Sequence, residues 1–190
     1  MGGEMIRLDP ASHVYTDGGR VVPGVTDVIK SNGLIDDAWF TEYARDRGQA
    51  VHAAAALDDD GLLDESTLDP AIVGYVEAWR RFKRESGFQS KWVEKVLFHP
   101  VYRYAGTVDR IGSMSGADWV IDFKTGEVLP WVALQTAAYA IAYGKPCRRA
   151  GVKLNNDGTY RLKEFADKND GATFLAALTM HNFKKGNSRT

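Results

Sequence analysis

Two aspartates and a lysine stand at the ends of two neighbouring apolar segments, Ala105-Gly106-Thr107-Val108-Asp109 and Trp119-Val120-Ile121-Asp122-Phe123-Lys124-Thr125-Gly126. Carboxylate oxygens are hard ligands of the kind Mg²⁺ accepts, and that ion needs only one or two of them while it keeps water and substrate phosphate in its other positions. A cation held by Asp109 and Asp122 would polarise a phosphoryl oxygen and acidify a bound water. Lys124 would add a point positive charge for the nucleophile or the developing phosphorane. The same three residues also suit an ordinary surface hairpin with an Asp/Lys cross-pair, and spacing alone does not separate the two.

The elements that must position these groups follow from periodicity. In a strand, Trp119, Ile121 and Phe123 enter the core while Asp122 and Lys124 leave together on the other face. Residues 113–116 read as the turn that folds one segment back on the other and brings Asp109 beside Asp122. Upstream, Arg47-Gly48-Gln49-Ala50-Val51-His52 belongs to a predicted helix that takes Asp36 or Asp37 as cap and runs through Trp39, Phe40, Tyr43 and the alanines of 53–56. Gly48 and His52 share one face of it. Because a helical glycine costs about 1 kcal/mol against alanine, Gly48 implies close packing on another backbone. Alone, His52 reads as a satisfied histidine. Downstream, Pro130 opens a helix in which Trp131, Leu134, Gln135, Ala138, Tyr139 and Ala142 recur until Gly144 stops it. Gln135 and Tyr139 then stand one turn apart, as a polar rim or as an amide and a phenol able to bond phosphate oxygens or base edges and to stack on a base.

In this order, Gly48-x-x-x-His52, Gly106-x-x-Asp109, Asp122-x-Lys124 and Gln135-x-x-x-Tyr139 resemble the RecB-like branch of the PD-(D/E)XK nuclease superfamily, phage exonucleases in particular. His13-Val14-Tyr15 and Val22-Pro23-Gly24-Val25-Thr26-Asp27-Val28-Ile29 extend the likeness to the opening segment of phage and mitochondrial exonucleases. The resemblance implies a restriction-endonuclease-like core and a divalent metal, Mg²⁺ or Mn²⁺, bound by His52, Asp109, Asp122 and the main-chain carbonyl of Phe123. It makes Lys124 the catalytic lysine and gives Gln135 and Tyr139 to DNA binding. Glu94 stands where several relatives carry a glutamate on the first core strand, although a surface glutamate fits it as well. DNA is the implied substrate, in phage or bacterial recombination, repair or replication. A phage or host single-strand annealing or binding protein is the kind of partner such enzymes take, and an oligomer is compatible with the likeness.

No G-x-x-x-x-G-K-[ST] loop occurs, so ATP use is not expected. Cys147 is the only cysteine, which excludes an iron-sulfur cluster and an internal disulfide. No secretion signal or bilayer-length apolar run is apparent, and a cytoplasmic setting without membrane contact is the default expectation. At 190 residues and 44% hydrophobic, the chain is expected to form one nuclease domain over 1–190. A net charge of −1 and a pI near 6.4 lack the basic excess of a phosphate-gripping protein. The basic residues are clustered, however: Arg80, Arg81, Lys83 and Arg84 in one helix, Arg148 and Arg149 beside the core, and Lys184, Lys185 and Arg189 at the end. Asp58, Asp59, Asp60, Asp64 and Glu65 concentrate the opposing charge in one loop.

The expected architecture is a mixed α/β sheet flanked by helices. A short β segment fills 1–35, helices cover 37–57 and 70–86, strands 91–98, 103–112 and 118–124, and a helix 130–143. Segments 149–154 and 160–164 form a hairpin about Asn155-Asn156-Asp157-Gly158. A closing helix over 170–183 turns Phe174, Leu175, Leu178 and Phe183 inward. The function expected is that of a metal-dependent DNA exonuclease. A flap or single-strand-specific endonuclease is the near alternative, and a non-catalytic DNA-binding or assembly protein the distant one.

Overall fold

Three long strands lay down the centre of the molecule as a meander: β4 (Gln89–His99), β5 (Tyr104–Met114) and β6 (Ala117–Lys124) run antiparallel. The reversal between β5 and β6 narrows to Ser115-Gly116, whose φ values of 50° and 76° are those a two-residue hairpin requires. The chain then crosses over through α4 (Trp131–Tyr143) into β7 (Arg148–Leu154), parallel to β6, and β8 (Tyr160–Glu164) returns antiparallel. The sheet order is β4-β5-β6-β7-β8. This computed structural model describes residues 6–35 and 41–187.

Helices cover both faces. On one side α2 (Glu42–Asp59) and α3 (Val73–Ser86) bring Val51, Ala55, Trp79 and Phe82 onto Trp119, Ile121, Phe123 and Val152. On the other, α1 (Val25–Ser31), α4 and α5 (Asn169–Asn187) bring Val28, Ile29, Ala138 and Phe174 onto Tyr104, Val108 and Val120. The polar face expected of β6 is therefore not a solvent patch. Because the crossover lays α4 over it, Asp122 is fully buried, and Lys124 keeps only 23% of its side chain accessible.

The first 35 residues are not all β. A small sheet of β1 (Arg7–Asp9), β2 (Val14–Asp17) and β3 (Arg20–Val22) seats Tyr15 and Val22 on Ala105, and then α1 begins. Val25, Val28 and Ile29 have the i, i+3, i+4 spacing of a buried helical face, which their β-branched side chains disguised as strand. Helix α2 is capped by Thr41, whose Oγ1 accepts from Ala44 N–H at 3.1 Å. The expected caps Asp36 and Asp37, with Trp39 and Phe40, lie outside the described residues. In α5 the buried stripe is Phe174, Ala177, Leu178 and His181, so Phe183 falls half a turn away and is 65% exposed rather than inward. No helix among the described residues is long and apolar enough to cross a membrane.

Most of the clustered basic residues are held in internal pairs. Arg80 pairs with Asp58, Glu65 and Glu77, Lys83 with Asp58 and Asp59, and Arg81 with Glu85. Arg148 pairs with Glu164 over the Trp119 ring, Arg149 with Asp170, and Lys184 donates to Ser31 O. Arg189 lies outside the described residues. Asp58, Asp59 and Glu65 pair with Arg80 and Lys83, so this part of α3 is an ion-paired helix face.

Candidate active site

The site forms at Glu94, where the β4–β5 ladder keeps its register but the backbone of β4 turns left-handed. Val93↔Arg110 and Lys95↔Val108 pair, but the intervening Glu94 has φ 45°, a left-handed backbone uncommon for a side chain of its size. β5 turns over at the same point. Tyr104, Gly106 and Val108 face the α1/α4 side, whereas Arg110, Gly112 and Met114 face the α2/α3 side. Pairing between β5 and β6 runs from Met114↔Ala117 only as far as Arg110↔Ile121. Past that pair the Asp109 carboxylate takes over, its Oδ2 accepting from Phe123 N–H at 3.0 Å.

Around this fork His52 Nδ1 lies 3.3 Å from Glu94 Oε1 and 3.7 Å from Asp109 Oδ1, and its Nε2 is 3.2 Å from the Phe123 carbonyl oxygen. Its ring stacks on Phe123 with centroids 4.1 Å apart. The donor atoms of His52, Glu94 and Asp109 all fall within 4.8 Å of one another. Glu94, which the sequence left at the margin, is thus part of the cluster. Asp122 is not in that triad: its carboxylate holds Lys124, Nζ lying 3.0 Å from Oδ1 and 2.8 Å from Oδ2. Two carboxylates and an imidazole converge on one point, with an Asp/Lys pair beside it.

The electrostatics follow from burial and from surplus negative charge. Burial pushes the Asp122 carboxyl above the usual carboxylate range, Asp109 adds to this, and Lys124 opposes it. Burial pulls Lys124 down, but Asp122 and Asp109 outweigh it and hold the ammonium above its ordinary value. His52 behaves alike: burial lowers it, and the Asp109 and Glu94 carboxylates more than restore it. Burial, with Asp109 and Asp122 close by, raises Tyr139 well above a free phenol.

Gln135 and Tyr139 sit one turn apart on α4, as expected, and both are buried; Gln135 Nε2 donates to Tyr139 Oη at 3.1 Å, while Gln135 Oε1 is buried without a partner among the described residues. They line a cavity of about 210 Å³ with His13, Tyr15, Gly106 and Asp109. A side chain at Gly106 would lie 2.7 Å from the Tyr139 ring and 2.9 Å from Val25, so glycine there is what seats the tyrosine. Gly48 does the opposite of what was expected. Among the described residues a Cβ there would meet only Thr125 Oγ1 at 3.9 Å, so no backbone among them packs on it. It lines a second cavity of about 820 Å³, bordered also by Lys30, Arg45, Arg47, Lys124 and Trp131. The two cavities meet at Glu94 and Thr26, which line both.

Two further residues went unnoticed in the sequence. Arg110 is fully buried and bonded to Glu94, and Asp59, with 2% of its side chain accessible, is bonded to Arg110. A signal existed. In the strand run Val108-Asp109-Arg110-Ile111, two adjacent charges cannot both point away from a sheet that is covered on both faces.

No family profile matches this chain, and no curated protein does. Among solved structures, it is similar to a candidate exonuclease from Eubacterium rectale, with TM-score 0.52 and 14% identity over 83% of this chain and 71% of that one. An alkaline exonuclease from Laribacter hongkongensis aligns at TM-score 0.35 and 16% identity over 87% of this chain and 92% of that one, a likeness too loose to carry an argument. What the first comparison establishes is the fold, a five-stranded mixed sheet between two layers of helices.

Proposed function

We propose that this chain is a divalent-metal-dependent deoxyribonuclease of the RecB-like PD-(D/E)XK kind, a single nuclease domain over 1–190 that degrades DNA from an end. The observation that carries the reading is the convergence of His52, Glu94 and Asp109 beside the Asp122–Lys124 pair, at the junction of two cavities. The fold likeness to a candidate exonuclease agrees with it.

The donors suit a small hard cation. Octahedral ligands about 2.1 Å from Mg²⁺ stand about 3 Å apart when adjacent, and the separations of 3.3 and 3.7 Å from His52 Nδ1 are close to that. His52, Glu94 and Asp109 would hold the ion; of the further ligands that the resemblance implies, Asp122 stands beside them, whereas the Phe123 carbonyl lies against His52 Nε2 on the other side of the ring. A proton on Nε2, toward that carbonyl, would leave Nδ1 to the ion. When bound, the cation supplies Lewis acidity to the phosphoryl oxygen and lowers the pKa of a water.

The remaining work belongs to the chain. Lys124, kept cationic by Asp122 and Asp109, meets the negative charge that grows on the phosphorane. Tyr139, kept as a phenol, retains its proton to donate, and Gln135 Oε1 is an acceptor still to be used. Lys30, Arg45 and Arg47 border the larger cavity, where phosphates of the strand would lie, so the local charge there differs from the net −1 of the whole chain.

Incubation of end-labelled linear and closed circular DNA with Mg²⁺, Mn²⁺ or EDTA tests the reading. Metal-dependent release of label from linear DNA with circles left intact is expected. Nicked circles would favour the endonuclease alternative, and binding without cleavage under any metal would make the protein a DNA-binding module.

A further inference from the structure

Arg110 has no accessible surface, yet it carries a full charge into the core between Trp79 and Phe123, whose ring centroids lie 5.4 and 5.3 Å from its guanidinium carbon. Its Nε donates to Asp59 Oδ2 at 2.5 Å, and its Nη1 reaches both Glu94 Oε1 at 3.1 Å and the Asp109 main-chain oxygen at 2.6 Å. Asp59 is itself fixed by Lys83 at 2.6 Å, Trp79 Nε1 at 3.1 Å and Ser90 Oγ at 3.3 Å. A hydrogen-bonded bracket therefore runs from the end of α2 through Arg110 to Glu94, where the backbone of β4 is left-handed.

We infer that Arg110 is a positioning residue for the metal cluster, holding the Glu94 carboxylate and the Asp109 backbone where His52 meets them. The inference rests on the metal-site reading above. Helix α2 carries both His52 and Asp59, so the bracket fixes the helix to the same glutamate that its histidine touches. Glu94 needs such a hold. Its left-handed backbone persists only where surrounding contacts impose it, and its side chain has two in-site partners, His52 and Arg110. The planar guanidinium fork serves Asp59 and Glu94 at once, which an ammonium cannot do in the same geometry. An arginine whose role was only to fill the core would be replaceable by an apolar side chain of similar volume together with neutralisation of Asp59.

The test compares full-length wild type with Arg110→Lys, with the paired variant Asp59→Asn/Arg110→Met, which removes the buried charges together, and with Arg80→Ala, which breaks ion pairs of the same acidic loop away from Glu94. Mn²⁺ affinity is read by calorimetry, folding by circular dichroism, and cleavage at limiting and saturating Mn²⁺. Both Arg110 variants are expected to bind Mn²⁺ about 10- to 100-fold more weakly, with most cleavage recovered at saturating metal, while Arg80→Ala keeps wild-type affinity. A folded Arg110 variant whose Mn²⁺ affinity stays within about two-fold of wild type, or falls no further than that of Arg80→Ala, overturns the inference. Wild type that binds no Mn²⁺ overturns it together with the metal reading. Wild type that binds Mn²⁺ but cuts no DNA removes the nuclease reading alone, and the affinities still decide the role of Arg110.

Discussion

Two acidic clusters lie on either side of Arg110, and they are built on opposite principles. In the first, Asp58, Asp59, Glu65 and Glu77 face Arg80, Lys83 and Arg110, and each of these carboxylates has a cation in contact. In the second, Glu94 shares Arg110, Asp122 holds Lys124, and Asp109 has only the imidazole of His52 as an ion-pair partner among the described residues, while burial and the charge of Asp109 lift the Asp122 carboxyl. A cluster in which every carboxylate contacts an arginine or lysine is complete and stabilises the fold. One with surplus negative charge beside a cavity is incomplete without a cation, and that incompleteness is a sign of function.

Variants that break this contrast should separate activity from stability. The largest effect belongs to Asp109→Asn, which keeps the shape and removes charge at the centre of the surplus. Cleavage should fall about 10³-fold, some 4 kcal/mol in barrier, while the protein still folds, and near-wild-type rates would end the assignment. Lys124→Ala should lower kcat about 10²- to 10³-fold with DNA affinity nearly intact. Single-turnover rates set against fluorescence-anisotropy affinities would show instead whether the lysine is only a phosphate clamp.

Arg80→Ala, in the matched cluster, should do the reverse. It should cost about 2 kcal/mol, a drop of roughly 4–8 °C in Tm, and leave the rate per folded molecule unchanged. The pH response of His52 is smaller and has a definite sign. Its carboxylate neighbours raise its pKa in the folded protein, so its contribution to stability is full below the unfolded value of about 6.5 and is lost as pH rises through the folded one. In metal-free protein His52→Gln should therefore lower Tm more at about pH 5.5 than at about pH 8.5, and wild-type Mn²⁺ affinity should increase over the same interval as the proton leaves. Equal Tm losses at the two pH values would mean the carboxylates do not govern the imidazole. Smallest is Gly48→Ala, which removes a helix-interior glycine with space around it and should raise stability by up to about 1 kcal/mol, seen as a higher melting temperature.

The meander, the α4 crossover and the closing hairpin were legible because each has a local signal: apolar strands, Gly144 as a stop, Asn155-Asn156-Asp157-Gly158 as a turn. His52, Asp109, Asp122, Lys124, Gln135 and Tyr139 could be singled out because their spacing is fixed within single elements. What stayed hidden depends on layers meeting. Alternation along β6 placed Asp122 outward, and only the covering α4 buries it. Glu94 joins the site through a backbone irregularity with no sequence signature, and Arg110 through a reversal of β5 at Asp109. The face of α5 was judged two residues too far, since Phe183 looks apolar but lies opposite His181.

The parallel pairing of β6 with β7 has a consequence for how the protein comes into being. Antiparallel neighbours zip from their turns, but a parallel pair waits for its whole connecting segment, so β7 pairs with β6 only after the crossover through α4 has folded back on the sheet. The reactive groups are spread from residue 52 to residue 139, and contacts of that separation form slowly. A chain still emerging from the ribosome, with α2 undocked and β7 unmade, holds its histidine and carboxylates apart. Under the function proposed above, hydrolytic power would arise only with the last long-range closure, at a time set by the topology of the sheet.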